Sequence, residues 1–173
     1  MRNLDRVKGK VLNAEHLRKQ IKSWQELGDQ VVFTNGVFDL LHAGHIDYLA
    51  NASDLGQRLV IGVNSDESVR QLNKGPARPI KDEDSRALIL ASLEFVSGVV
   101  IFGEDTPYEL LQILQPDVLV KGGDYDPAET DRDSKAYIVG SDLVRNRGGR
   151  VEALAFLPGH STTRLEQKIK NAN

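Results

Sequence analysis

The chain has 173 residues, of which 40% are hydrophobic and 27% charged, as in an ordinary soluble globular protein. A formal net charge of −3 argues against a protein that coats nucleic acid, and the absence of cysteine excludes disulfides and thiolate–zinc sites. No apolar run is long enough to span a bilayer, and the N-terminus lacks the apolar core of a secretory signal. We therefore expect a cytoplasmic protein that does not bind membranes or nucleic acid.

The chain begins with an amphipathic helix and then alternates between strands and helices. Apolar residues recur at helical spacing between Asn13, a suitable N-cap, and Gly28, a suitable stop. Apolar runs predict strands at 30–36, 58–66, 98–103, 116–123 and 150–157. The segments between them predict helices at 43–56, 65–73, 82–96, 106–114, 141–149 and 161–170.

Three helices carry clear start signals, and two segments do not belong to a helix or a strand. Asp82 is a suitable cap, and Thr106, Pro107 and Glu109 fit a capped helix start with a capping box. Thr163 with Glu166 also fits a capping box. Glycine and prolines mark a loop at 74–82, and a polar stretch at 124–137 predicts another.

The strands are near-continuous runs of Val, Ile and Leu, which a sheet covered on both faces requires. The predicted fold is therefore α/β: a doubly wound, Rossmann-like domain with a five-stranded parallel sheet flanked by helices. We place this domain at 29–173, preceded by an N-terminal helical extension at 1–28. Ligands of such folds bind beyond the carboxyl ends of the strands, so the segments that follow the strands are the candidate site.

The segment after the first strand, TNGVFDLLHAGH, places two of the four histidines at the start of a helix. His42 and His45 lie three residues apart on one side of the first turn, where unpaired N–H groups and the helix dipole attract anions. Gly44 lets a ligand approach the backbone. This pattern favours a phosphate site, with two alternatives: a structural cap, or zinc bound by both histidines and Asp39 or Asp47.

Three other segments add phosphate-binding chemistry. Ser161, Thr162 and Thr163 precede the last helix, where hydroxyls and N–H groups suit a polyphosphate. The loop NKGPARP supplies cations suited to closing over a phosphorylated substrate, and the strand end VKGGDY has glycines against which a base or ribose can lie. Neither a G-x-G-x-x-G fingerprint nor a P-loop is present, which excludes an ordinary NAD-binding domain and a P-loop ATPase.

Two of these motifs identify a family. GVFDLLHAGH resembles the G-x-F-D-x-x-H-x-G-H signature of the cytidylyltransferase-like nucleotidyltransferases, and GHSTT resembles the motif that closes the same domain. With VNSD, KGPARP and VKGGDY, the chain from about residue 28 onward is most similar to the adenylyltransferase domains of the bacterial ADP-heptose pathway. Relatives that use CTP carry R-T-x-G-I-S-T before the last helix. This chain has FLPGHST, without the arginine, which favours ATP.

The resemblance implies an enzyme that transfers AMP from ATP to D-glycero-β-D-manno-heptose 1-phosphate, releases pyrophosphate and yields ADP-heptose for the lipopolysaccharide core. Mg²⁺ would arrive with ATP, and no protein metal site is expected. In bifunctional relatives a sugar kinase precedes this domain, so we expect the stand-alone form; ETDRDSKAY lengthens the loop after GGDY. A homo-oligomer is left open.

The resemblance also assigns roles to residues. The catalytic candidates are His42, His45 and Lys74, with the histidines on the α-phosphate and the leaving oxygen. The nucleotide-binding candidates are Thr34, Asn35, Gly36, Phe38, Asp39, Gly44, Lys121, Gly122, Gly123, Asp124, Ser161, Thr162 and Thr163. The substrate-binding candidates are Asn64, Asp66, Arg78 and Arg86.

Two other functions remain open. A sister transferase would act on glycerol 3-phosphate, an ethanolamine phosphate or a flavin, and a non-catalytic regulator would bind the nucleotide without turnover. A class I aminoacyl-tRNA synthetase shares a similar histidine motif, but this chain is too short and lacks the lysine-rich partner loop.

Overall fold

The structure is a computed structural model that describes residues 2–72 and 78–171. Lys74, one of the predicted catalytic residues, therefore lies outside the described residues. The elements in chain order are α1 (Asn3–Lys8), α2 (Ala14–Glu26), β1 (Val31–Gly36), α3 (Ala43–Ser53), β2 (Arg58–Asn64), α4 (Asp66–Gln71), α5 (Glu83–Ala91), β3 (Val96–Phe102), α6 (Tyr108–Leu114), β4 (Val118–Gly122), α7 (Ser141–Asn146), β5 (Arg150–Leu154) and α8 (Thr162–Lys170).

The five strands form one parallel sheet in the order β3-β2-β1-β4-β5. The chain winds outward from β1 to β3 and then crosses back to β4 and β5. The direction of winding therefore reverses between β1 and β4, and this switch point opens a crevice at the carboxyl ends of both strands. The predicted fold class, a doubly wound Rossmann-like sheet, is confirmed.

Two hydrophobic clusters cover the two faces of the sheet. One joins the sheet to α3 and α5 through residues such as Leu49 and Leu90. The other joins it to α2, α6 and α7 through residues such as Leu17, Ile21 and Leu111. Adjacent residues of β1 divide between the clusters because successive side chains of a strand point to opposite faces. The rigid sheet fixes the edge that carries the candidate site.

The N-terminal helix α2 packs against the sheet. Leu17 and Ile21 are fully buried in the cluster that includes Phe33 of β1. Asn13 caps α2 as predicted, because its side chain accepts a hydrogen bond from the N–H of His16 at 2.9 Å. The sequence did not predict α1. The domain boundary at residue 28 stays a prediction.

Several predicted boundaries are wrong, and α3, α7 and β5 each end three residues earlier than predicted. The helix placed at 82–96 is capped by Asp82 as predicted, but it ends at Ala91 because a turn redirects the chain into β3 at Val96. α6 begins at Tyr108 with Pro107 as its N-cap and without a side-chain cap, so the predicted capping box does not form.

The polar segment 124–137 forms turns that are tied to α7. Arg132 makes an ion pair with Asp142 at 2.6 Å, and the hydroxyl of Tyr137 donates to the same carboxylate at 3.1 Å. None of the helices in the described part of the chain has the length and apolar character that a membrane span requires.

Candidate active site

A cavity of about 700 Å³ opens at the switch point between β1 and β4. Its size falls within the ~300–1,000 Å³ range of small-molecule sites. Its walls come from the ends of β1 and β4, from the segments that follow β1, β4 and β5, from the loop before α5, and from the helices α3, α4 and α8. The lining residues are Asn35, Gly36, Val37, Phe38, Asp39, His45, Tyr48, Val69, Arg78, Lys121, Gly122, Tyr125, Phe156, Thr162, Thr163 and Glu166.

The two histidines meet at the start of α3. His42 is the N-cap, and its Nδ1 accepts a hydrogen bond from the N–H of His45 at 3.3 Å. The rings stack with centroids 3.9 Å apart, and His45 belongs to the cavity wall. Gly44 is required between them because a Cβ there would lie 3.1 Å from the ring of His42 and 2.9 Å from the Cβ of His160. The imidazole pair is therefore held firmly at the helix N-terminus.

The pKa of each histidine lies below its usual value. Burial, and then the nearby charge of His42, lower the pKa of His45 to about 4. Burial and the charge of His160 lower the pKa of His42 as well. The Nδ1 of His45 is buried without a well-formed hydrogen bond among the described residues, and the backbone of Leu40 beside the ring offsets the lowering of its pKa only in part. A bound phosphate would favour the protonated imidazole.

Asp39 fixes the loop that leads into α5. The N–H groups of Ile80 and Lys81 donate to its carboxylate at 2.9 Å, and Arg78 donates at 3.2 Å. Burial alone would raise the pKa of Asp39, but these hydrogen bonds and the charge of Arg78 together hold the pKa below its usual value. Arg78 also pairs with Glu166 of α8 at 2.7 Å. This network brings Arg78 into the cavity wall.

The end of β4 supplies a cation and two glycines that an aromatic ring covers. The ammonium of Lys121 donates to the side chain of Asn35 at 3.2 Å and lies 5.7 Å from the ring centroid of Tyr125. The ring of Phe156 lies on the two glycines, so a Cβ on Gly122 would come within 2.4 Å of it and one on Gly123 within 3.1 Å. Only glycine at both positions leaves room for this aromatic ring.

The start of α8 forms another side of the cavity. Ser161 is the N-cap and accepts from the N–H of Arg164 at 3.2 Å, while Thr162 and Thr163 line the cavity. The capping box considered for Thr163 and Glu166 is wrong, because Ser161 is the cap and Glu166 pairs with Arg78.

Several predicted residues lie outside this cavity. Thr34 is fully buried behind it, where its hydroxyl bonds that of Tyr48 at 2.7 Å. Arg86 is also buried, and donates to the carbonyls of Lys81, Val37 and Asn64 and to the carboxylate of Asp66. The structure thus gives the Arg86–Asp66 pair a role in joining the loops after β1 and β2. Asn64 lines a second, adjacent cavity, and Asp124 is exposed.

Sequence reasoning missed six side chains that line the cavity: Val37, Tyr48, Val69, Tyr125, Phe156 and Glu166. It also did not single out His160, whose ring centroid lies 6.3 Å from that of His42. For His160 a signal was available, since it lies within GHSTT. The two tyrosines also sit within or beside the motifs HAGH and KGGDY.

The zinc alternative does not fit this geometry. Among the described residues, no three histidine or carboxylate side chains are grouped as metal ligands. The carboxylate of Asp39 is taken up by Ile80, Lys81 and Arg78, and the Nδ1 of His42 accepts a backbone N–H. The site instead combines a helix N-terminus, imidazoles, hydroxyls and cations, which suits a phosphate.

A comparison with family models matches residues 33–167 to the cytidylyltransferase-like family. The matched range includes β1, the paired histidines, the end of β4 and the start of α8. The chain belongs to the cytidylyltransferase-like family.

Similar proteins share most of this chain's length. "Bifunctional protein HldE" of Magnetococcus marinus is 51% identical over 160 residues, covering 92% of this chain, and the protein of the same name from Wolinella succinogenes is 47% identical over 163 residues. The chain spans only 31–32% of the length of these curated relatives.

Two solved structures share the fold. A lipopolysaccharide core biosynthesis protein from Thermoplasma volcanium is 28% identical, with a TM-score of 0.57 over 75% of this chain and 98% of its own. A pantoate–β-alanine ligase from Francisella tularensis is 16% identical and aligns over 92% of this chain and 76% of its own, with a TM-score of 0.58. At this identity the comparison shows similarity of fold alone.

Proposed function

We propose that the protein is an adenylyltransferase that transfers AMP from ATP to D-glycero-β-D-manno-heptose 1-phosphate and releases pyrophosphate. The product would be ADP-heptose for the lipopolysaccharide core. The family membership and the identity to HldE proteins support this proposal. So do the motifs shared with ADP-heptose pathway adenylyltransferases.

One observation carries the proposal: the cavity at the switch point brings His45 of α3, on which His42 stacks, together with Lys121 of β4 and the hydroxyls of α8. Each of these groups binds phosphate well, and they come from three distant parts of the chain. A site with anion-binding groups on several sides suits a nucleoside triphosphate whose α-phosphorus is attacked by a nucleophile.

The reaction would be an in-line displacement at the α-phosphorus of ATP. An oxygen of the sugar phosphate forms the new P–O bond, and the bond between the α-phosphorus and the bridging oxygen breaks to expel pyrophosphate. The second pKa of a phosphate monoester is about 6, so the nucleophile is already an anion at pH 7 and no general base is needed. Catalysis then rests on positioning and charge stabilisation.

We assign the charge stabilisation to His42, His45 and Lys121, close to the α-phosphate. The neutral His42 keeps a proton on Nε2, because its Nδ1 is an acceptor in the helix cap. Thr162 and Thr163 would donate to the β- and γ-phosphates, with Arg78 beside them. Asn35 and Gly36 at the end of β1 and the glycines of KGGDY remain our proposed contacts for the nucleoside.

Mg²⁺ would enter as part of the ATP substrate, held by phosphate oxygens and water. We place the reaction in the cytoplasm, where ATP is supplied. Lys74 keeps its proposed phosphate contact on the basis of the family resemblance alone.

Pyrophosphate release tests the proposal directly. The assay compares ATP with heptose 1-phosphate, ATP alone, CTP with heptose 1-phosphate, and ATP with glycerol 3-phosphate. We expect rapid release only for the first mixture. Equal release with glycerol 3-phosphate, or release with CTP but not ATP, would replace the proposed substrates, and no release in any mixture would contradict an enzyme of this kind.

A further inference from the structure

A second cavity, of about 310 Å³, adjoins the first at the same edge of the sheet. The two cavities share a wall made by Asn35, Gly36, Val37, Lys121 and Tyr125. The second cavity extends toward the end of β3, where Asp105 and Thr106 line it. Three strand spacings, roughly 14 Å, separate β3 from β4 in the sheet, so this cavity leads away from the nucleotide site.

The far side of this cavity offers acceptors for hydroxyl groups. Asn64 is only 6% exposed, and its amide N–H donates to Ser68 at 3.0 Å. Within residues 2–72 and 78–171, the structure records no donor to the amide oxygen of Asn64 and no hydrogen bond or ion pair of the Asp105 carboxylate. The amide oxygen of Asn64 and the exposed carboxylate of Asp105, on one wall, suit a ligand that carries several hydroxyls.

The side walls of this cavity are aromatic and apolar. Tyr125 and the largely buried Tyr137 both line it, and the hydroxyl of Tyr137 is held by Asp142 at 3.1 Å. The ring of Tyr137 is therefore fixed in place as a flat apolar wall. Flat walls with a few polar groups suit a small ring-shaped ligand that carries hydroxyls at its edges.

The charges of the cavity also set the direction in which a ligand can bind. The carboxylate of Asp105 repels a phosphate, whereas the ammonium of Lys121 at the shared wall attracts one. A sugar phosphate would therefore place its phosphate at Lys121, beside the nucleotide cavity, and its hydroxyls toward Asp105 and Asn64. In this direction its phosphate would lie at the wall that the two cavities share, where the proposed transfer takes place.

We infer that the second cavity is the acceptor subsite, which binds the pyranose ring of a sugar 1-phosphate, and that Asp105 and Asn64 select for its hydroxyls. The inference rests on the proposed adenylyl transfer and adds to it the residues that distinguish a sugar from a smaller phosphorylated acceptor. Tyr137 and Val139 form the wall on which the ring packs.

The test uses three substitutions in the full chain. Asp105→Asn removes the charge of the hydroxyl acceptor, and Val139→Phe fills the second cavity without adding to the wall of the first. Asp133→Asn is the matched control, because Asp133 is exposed and lines neither cavity. Two readouts are taken: steady-state kinetics for each substrate, and NMR saturation transfer to heptose 1-phosphate in the presence of a non-hydrolysable ATP analogue. Circular dichroism verifies that each variant is folded.

We expect Asp105→Asn and Val139→Phe to raise KM for heptose 1-phosphate by about tenfold or more while KM for ATP is unchanged. Saturation transfer to the sugar should weaken in the same two variants, and Asp133→Asn should match the wild type in both readouts. Unchanged KM for the sugar phosphate in both folded variants, or a rise in KM for ATP instead, would overturn the subsite.

The two readouts separate this inference from the proposed function. Sugar binding that depends on Asp105, in a protein that releases no pyrophosphate, would support the subsite and contradict the transferase. Pyrophosphate release that is insensitive to Asp105 and Val139 would support the transferase and contradict the subsite. Neither binding nor release in the wild type would contradict both.

Discussion

His42 combines a structural and a proposed chemical role in one side chain. Its Nδ1 caps α3, and its ring stacks on His45, which lines the first cavity. An alanine at this position would remove both the cap and the imidazole. A loss of activity in that variant alone would therefore not show which of the two roles had been lost. Asparagine is a strong N-cap without an imidazole, and it separates the two roles.

We expect His42→Asn to lower kcat by about 10²–10³, as for the loss of one donor in an oxyanion hole, while the melting temperature stays close to that of the wild type. His42→Ala should lower kcat equally and should also lose about 1 kcal/mol of stability with the cap. Pyrophosphate release and thermal unfolding measure the two effects. Near-normal kcat in His42→Asn would remove His42 from the catalytic assignment.

His45 makes the stability of the protein depend on pH. Its pKa is about 4 in the folded chain and about 6.5 when the chain is unfolded. Between these values the unfolded chain binds more protons, so the free energy of unfolding rises with pH from 4 to 6.5 and falls on acidification through the same range. The lowered pKa of His42 acts in the same direction.

We expect His45→Gln to reduce the slope of the free energy of unfolding against pH between pH 4 and 6.5. The reduction corresponds to at most one proton, the one that the unfolded chain binds at His45. Urea unfolding of both proteins at several pH values in this range measures the slopes. His16→Gln is a suitable control, because His16 is exposed on α2. An identical slope in His45→Gln and the wild type would contradict the lowered pKa.

At the scale of elements, α2 behaves as part of the sheet domain. Leu17 packs directly on β3, where a Cβ added to Gly98 would lie 2.8 Å from its Cδ1. Arg18 of the same helix donates to the carbonyl of Leu114 at the end of α6. These contacts lead us to propose that the segment before residue 28 is needed for folding.

We expect Leu17→Ala to destabilise the protein by about 2–5 kcal/mol, because it leaves a cavity in the core. Leu27→Ala, at the exposed end of the same helix, should change stability little, since Leu27 is 78% exposed. Chemical denaturation compares the two variants. Equal, small effects would show that α2 is dispensable for the fold.

Local sequence patterns predicted those elements whose signals lie within a few residues. The caps Asn13 and Asp82 and all five strands were recognised in this way, because capping and apolar runs are local. The early end of α5 was not, since its apolar pattern continues through Phe95 and only the pairing of Val96 with Leu59 makes that residue a strand. Tertiary contacts override the local pattern there.

In the candidate site too, the sequence predicted the residues that local motifs mark and missed those that only tertiary contacts bring together. The sequence pointed to His45, Lys121 and Arg78 because motifs mark them, and it could not tell that Arg86 is buried among backbone carbonyls. A cation on a loop and a cation in the core look alike until the chain is folded. Phe156 reaches Gly122 only through the pairing of β4 with β5, a contact that no local signal reports.

At the scale of the whole molecule, the order of the strands creates the site. The first strand, β1, lies at the centre of the sheet, and the order in which strands are added reverses between β1 and β4. The HAGH and KGGDY segments, which follow these two strands, therefore meet at one edge. The loop after β3 reaches the same edge and completes the second cavity. Although the chain is acidic overall, the cationic side chains of Arg78 and Lys121 line the first cavity at this edge.

The central claim is that this edge transfers AMP to the phosphate of a sugar. A ³¹P NMR spectrum of the protein with Mg²⁺, ATP and heptose 1-phosphate tests it most directly. We expect the signals of a sugar-linked diphosphate diester and of pyrophosphate to grow together in the wild type and to be nearly absent with His42→Asn. Formation of ADP with a newly phosphorylated sugar, or of the diester at equal rates in both proteins, would contradict the account.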